Sequence, residues 1–206
     1  HDLVEEYPKV KQAFLVESRL NCLDAAMPNI GDAGACGSWS RRGNPEVFAR
    51  GFELYGEQRF AELAYHYADG NVEGLGRSIF SENPDELSQS VAAAAQGAGE
   101  RDLQCHHMGR YGQAILQTKH PENGRALWIH YGYDKGHSHK DNLNIGLYAK
   151  NISMLPDLGY PEYTGPWPKR MGWTAHTISH NTLMIGDCPS EYSPGGQISM
   201  FVDRPP

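Results

Sequence analysis

The sequence has no apolar run close to the ~20 residues that a membrane-spanning helix needs, so it does not read as an integral helical membrane protein. It is poor in cysteine: Cys22, Cys36, Cys105 and Cys188 are the only four, and none forms a CxxC pair. That argues against a cysteine-based zinc site and is too sparse for a disulfide scaffold. The even count is compatible with one or two bridges. Positive charge is not in excess: 18 Lys and Arg face 25 Asp and Glu, for a net charge of −7. Bulk attraction of nucleic acid is therefore not expected. A small cationic cleft could still take an anionic substrate. No internal repeat and no low-complexity segment is present. No signal peptide is visible, and the chain opens on His1 and not Met, so we expect a piece of a larger protein.

What is present divides into two patterns. Residues 1–103 read as helical. Asn44 offers an N-cap with Pro45 at the first helical position. Phe48, Phe52 and Tyr55 follow at helical spacing, and Gly56 breaks the run, which predicts helices over 45–55 and 57–68. Asn83 and Pro84 repeat the start signal ahead of "DELSQSVAAAAQ", and an earlier helix is expected over 3–18. Short antiparallel helix pairs of this kind suit a bundle or an (α/α) toroid. Residues 104–206 change character. "GRYGQAILQT", "RALWIHYGYD", "NLNIGLYAKN" and "TLMIGD" are short, partly alternating and rich in β-branched and aromatic residues, with turn signals between them. An antiparallel sheet is expected there.

The chemistry concentrates in "GHSHKDNLNIGLYAKNISMLPDLGY", residues 136–160, and in the later "SHNT". If the segment is extended, His137, His139 and Asp141 point to one side. Two imidazoles with a more distant carboxylate and a third imidazole make a divalent metal site, and three protein ligands leave a fourth position open. We assign His139, Asp157 and His180 to the metal and leave His137 free to act on substrate. The other histidines, His66, His106, His107, His120, His130 and His176, read as hydrogen-bonded structural residues.

The same residues carry a family resemblance. "GHSHKDNLNIGLYAKNISMLPDLGYPEY" followed by "WTAHTISHNTLMIGD" resembles the heparinase II/III-like polysaccharide lyases. The match runs through His137, His139, Asp141, Leu143, Leu147, Tyr148, Asp157, Gly159, His180, Asn181 and Thr182. Asn151, Met154, Leu158 and the order Gly186–Asp187 depart from the family pattern and touch no proposed ligand. "RYGQAIL" at 110–116 resembles the strand that opens the family's sandwich, and "MPNIGDAG" at 27–34 a loop of its toroid.

The resemblance implies an α+β multidomain architecture: the end of an (α/α) toroid, then the start of an antiparallel β-sandwich, both truncated here. It implies Zn2+ on the residues matching His139, Asp157 and His180. It implies β-elimination on a uronic-acid polysaccharide of glycosaminoglycan or alginate type, by an exported enzyme that is periplasmic or secreted. No nucleic acid or membrane partner is implied, and oligomers are compatible with it. His137 is the expected base or charge neutraliser. Tyr163, spaced from Asp157 about as in the family, is the candidate cleft tyrosine; an exposed loop tyrosine is the plainer reading. Arg170, Trp173 and Asn181 are candidate substrate contacts, through a carboxylate fork, an aromatic platform and an amide. Core packing is the plainer reading for Trp173. Asp141 is a candidate for orienting a histidine, or a sheet-edge salt bridge. Asn29 and Asp32 read as a cleft loop or an ordinary Asx turn. Two other classes stay open: a metal-dependent hydrolase, and a non-catalytic carbohydrate-binding protein with a relic zinc site. We expect residues 1–206 alone to be inactive.

Overall fold

A computed structural model describes residues 3–34, 41, 43–77, 79, 83, 85–97, 103–132, 137, 139–160, 168–191 and 195–203. The chain forms two compact units: His1–Leu20 with Arg42–Arg101, and Asn21–Arg41 with Asp102–Pro206. The later cut between the units falls near residue 102. The early excursion of 21–41 into the second unit has no counterpart in the sequence reading.

The first unit is helical: α1 (Leu3–Glu6), α2 (Val10–Phe14), α3 (Val16–Arg19), α4 (Pro45–Tyr55), α5 (Gln58–Tyr67) and α6 (Glu86–Gln96). The helix expected over 3–18 is instead three short ones, with Pro8 between the first two, where a backbone donor is missing. Helix α4 starts where its signals say. The Asn44 side chain accepts from the Glu46 N–H at 3.0 Å, and Gly56, at φ +63°, closes the helix with its N–H donating to the Phe52 carbonyl. Helix α6 begins two residues after Pro84, with Asp85 before it. Phe48, Phe60, Leu63, Leu75 and Val91 form the core of this unit. Gly51 lets α4 and α5 approach: a Cβ there would sit 2.7 Å from the Phe60 ring.

The second unit is an antiparallel meander of five strands in sequence order: β1 (His106–Met108), β2 (Gln113–Gln117), β3 (Arg125–His130), β4 (Asn144–Ala149) and β5 (Ile152–Ser153). Lys150 and Asn151, at φ 52° and 58°, turn β4 into β5, as a two-residue hairpin requires. The expected strand at "TLMIGD" does not form. Leu183 and Ile185 are exposed, and the segment makes a lone bridge between Ile185 and Cys188. Its apolar side chains find no sheet face to pack on, and packing is what strand propensity reports.

One face of the sheet is buried, and its chemistry changes along the strands. Ile115, Ala126, Trp128 and Tyr148 pack with Cys22 and Leu23 of the excursion, and with Ile30. Gly146 lies opposite Trp128 in the register, and a Cβ there would overlap the indole. Further along the same face the register aligns Gln113, His130 and Asn144, all buried. The apolar core thus ends in a row of polar side chains, and the candidate site lies beyond it. Cys22, Cys105 and Cys188 are free thiols; Cys36 lies outside the described residues. Among the described residues no helix is long and apolar enough to cross a membrane.

Candidate metal centre

The histidine pair is not on a strand. His137 and His139 precede β4, in the loop that ends at Asn144. The shared side that alternation would give them is not observed: His139 is fully buried, and the His137 side chain is 93% exposed. Both rings turn toward Asp32, at 3.0 Å from His137 Nδ1 to Oδ2 and 3.0 Å from His139 Nε2 to Oδ1. The Asp32 N–H also donates to the His137 carbonyl at 3.0 Å.

Asp157 is reached through Asn144, the last member of the polar row. The Asn144 Nδ2 donates to Asp157 Oδ2 at 2.5 Å, and the Gly159 N–H donates to Oδ1 at 2.8 Å. The Asn144 Oδ1 accepts from the Asn181 N–H at 3.1 Å, and the Ile145 N–H donates to the Asn181 carbonyl at 3.1 Å. One strand end therefore holds both the aspartate and the loop that carries His180. His180 Nδ1 lies 2.9 Å from Asp157 Oδ2, and its Nε2 donates to the Thr174 carbonyl at 2.9 Å.

These connections bring together the three residues assigned to a metal. One ligand atom from each of His139, Asp157 and His180 lies within 4.8 Å of the others, and all three residues are buried. Their chemistry fits a cation. His139 Nδ1 is buried without a hydrogen-bond partner, an unusual cost unless something accepts its lone pair. Burial pushes His139 down, partly offset by Asp32 and Asp157, toward the neutral ring that ligation needs. Burial also acts against the His180 cation, but the Asp157 hydrogen bond and charge, helped by Asp141, outweigh it and raise the group. Cation binding would release the proton shared by His180 Nδ1 and Asp157 Oδ2.

The remaining candidates fall around this centre. Arg170 extends from a π-helical turn, Arg170–Thr174, and forks onto Asp32: Nη1 to Oδ1 at 2.9 Å and Nη2 to Oδ2 at 2.7 Å. Its guanidinium carbon lies 5.4 Å from the Tyr160 ring centre. The fork that the sequence reading directs at a substrate carboxylate is thus occupied by an internal one. Trp173, on the same turn, is half exposed. Asn181 is tied down, its Nδ2 donating to the Pro156 carbonyl at 3.1 Å. Asp141 is fully buried. Tyr163 lies outside the described residues. The sequence reading missed Asn144, whose signal was a polar residue at a buried strand position, and the Thr174 carbonyl, which has no sequence signal.

Residues 105–201 match the family model "heparinase II/III-like, C-terminal". No curated protein matches the chain. Among solved structures, a heparinase III gene product with methylated lysines is 13% identical over 86% of this chain and 23% of its own length, with a TM-score of 0.51. A second heparinase III is 17% identical over 93% of this chain and 28% of its own, with a TM-score of 0.48. A heparan sulfate lyase from Pedobacter heparinus is 14% identical over 74% and 20%, with a TM-score of 0.39. At such identities the likeness is one of fold. The chain spans about a quarter of the length of the first two structures (23% and 28%).

Proposed function

We propose that this chain, whose residues 105–201 match the heparinase II/III-like C-terminal family model, is part of a polysaccharide lyase. Its substrate on this reading is a uronic-acid-containing polysaccharide of glycosaminoglycan or alginate type, cleaved by β-elimination. The observation that carries the reading is the buried convergence of His139, Asp157 and His180 beside an exposed His137 that shares Asp32 with His139. The helical unit then corresponds to the end of an (α/α) toroid and the sheet to the start of a β-sandwich. Because the substrate is a polymer, the enzyme acts in the periplasm or after secretion.

Elimination removes the C5 proton, which is weakly acidic because it lies α to a carboxylate. Charge developing toward that carboxylate must be stabilised by donors or cations. A base takes the proton, and an acid protonates the departing O4 oxygen. His137 is suited to the base or neutralising role because its ring is exposed and held at one nitrogen. Tyr163 is our second proton-transfer candidate. Trp173 offers a half-exposed aromatic surface for a sugar ring. His139, Asp157 and His180 would hold zinc through two nitrogens and one carboxylate, and the bound ion would lock the His139 loop and the His180 loop at fixed separation. Asn181 and Asn144 do part of that work directly, by tying the His180 loop to β4. A hydrolase of the parallel β/α-barrel kind is disfavoured, because the sheet is an antiparallel meander.

The test is product absorbance. Elimination leaves a conjugated, unsaturated uronate that absorbs in the ultraviolet; hydrolysis and plain binding do not. The full-length protein should raise that absorbance on at least one uronate polymer, and His137→Ala should abolish the rise. Chain shortening without absorbance would make it a hydrolase.

A further inference from the structure

We propose that Asp32 is a positioning residue that fixes the working nitrogen of two histidines at once. It turns the Nδ1 lone pair of His139 toward the metal ligands and leaves Nε2 of His137 open to substrate. The inference rests on the metal reading above and extends it to a residue that the sequence treats as a turn former.

The argument starts from donor counting. A carboxylate accepts and does not donate, and its two oxygens offer about four lone-pair directions. Asp32 receives four contacts, two per oxygen. Oδ1 takes His139 Nε2 at 3.0 Å and Arg170 Nη1 at 2.9 Å. Oδ2 takes His137 Nδ1 at 3.0 Å and Arg170 Nη2 at 2.7 Å. The carboxylate is therefore fully subscribed, and it has no lone pair left for a metal or a proton in flight.

A ring nitrogen facing an oxygen that only accepts must carry its hydrogen. His139 then bears hydrogen on Nε2, and its Nδ1, buried and without a partner, is the ligand atom. The second ligand histidine differs: its Nε2–H donates to the Thr174 carbonyl, and its Nδ1 faces Asp157 with a proton that a metal would displace. His137 bears hydrogen on Nδ1, so its Nε2 carries the lone pair on a ring that is 93% exposed. The two histidines, held by one carboxylate through opposite nitrogens, thus present opposite nitrogens to their tasks. Arg170 holds the carboxylate plane through its rigid two-pronged fork. It acts on the site through Asp32.

The test is nitrogen-resolved NMR on 15N-labelled protein freed of metal, with zinc affinity measured by chelator competition on the same samples. The wild type should show His139 as the Nε2–H form and His137 as the Nδ1–H form. Asp32→Asn keeps the size but offers one accepting oxygen and a donating amide. It should mix the tautomers of at least one of the two rings and weaken zinc binding by about 10–100-fold, as loss of a partner behind a ligand does. Asp32→Glu should restore the tautomers in part. A wild type with His139 as Nδ1–H, or an Asp32→Asn protein with unchanged tautomers and unchanged zinc affinity, would overturn the proposal. Asp157→Ala separates the two readings. Equal zinc uptake by it and the wild type, or none by either, defeats the metal assignment, while the tautomer pattern still decides the role of Asp32.

Discussion

Replacing Asp157 by alanine should separate the structural and metal-binding contributions of one carboxylate. Asp157 is 3% exposed and accepts from Asn144 Nδ2 and the Gly159 N–H, with His180 Nδ1 on the same oxygen as the amide. Deletion leaves buried donors unpaired, each costing about 1–3 kcal/mol. The His180 cation also loses its main support, so the ring reverts to neutral and recovers part of that loss. We therefore expect a loss of about 3–5 kcal/mol without metal, the range for breaking a buried pair. The second contribution is linkage. Free zinc at about 100 times its dissociation constant should stabilise the wild type by about 2.7 kcal/mol. A variant with one of three ligands gone should gain almost nothing at the same concentration. The assay is urea unfolding of both proteins, first with a chelator and then with buffered zinc. Equal stabilisation of both proteins by zinc would refute the ligand assignment. A loss below about 1 kcal/mol under chelator would refute the claim that this carboxylate satisfies buried donors.

Three further outcomes follow from the same structure. Gly146→Ala places a methyl group into the Trp128 indole and should cost about 1–3 kcal/mol by overpacking; an unchanged urea midpoint would contradict the register. Burial pushes the Cys22 thiol up to about 12, whereas Cys188 is exposed. A thiol reagent near neutral pH should thus label Cys188 quickly and reach Cys22 only on unfolding, and comparable rates at the two sites would be inconsistent with this packing. Burial lowers His130, against a partial opposing effect of Asp157. Its unfolded value is about 6.5, so the unfolded chain takes up the proton first as pH falls. The stability linked to this group is full above that value and is lost as pH drops through it toward the folded one. His130→Gln should flatten the acid side of the stability curve measured with a chelator, and an unaltered slope would argue against a neutral buried ring.

The local signals read well where they are self-contained. Asn44, Pro45 and Gly56 set helix α4 to its ends, because capping is decided within a few residues. The three candidate ligands came from residue type and spacing, and they meet in space. What stayed hidden depends on partners far along the chain. Nothing near "NIGDAG" signals that Asp32 faces Arg170, 138 residues later. Nothing in "TLMIGD" signals that it lacks a sheet face. The strand expected through His137 and His139 failed for a related reason. Period-two alternation put both rings on one side, whereas His139 is buried and His137 exposed, and Asp32 and not a neighbouring strand is what holds them.

The excursion of residues 21–41 into the sheet unit bears on the order in which the protein assembles. All three candidate ligands lie in the second half of the chain, but the carboxylate that orients two histidines arrives from 105 residues before His137. Closing a loop of that length costs roughly 4 kcal/mol in length-dependent chain entropy, and such non-local contacts form late. A protein cut at the family boundary near residue 105 would keep the metal ligands and the exposed histidine and lose their common anchor. Such a piece should bind zinc more weakly and with its two histidines less well aligned, so the upstream segment would complete a site whose ligands are encoded downstream.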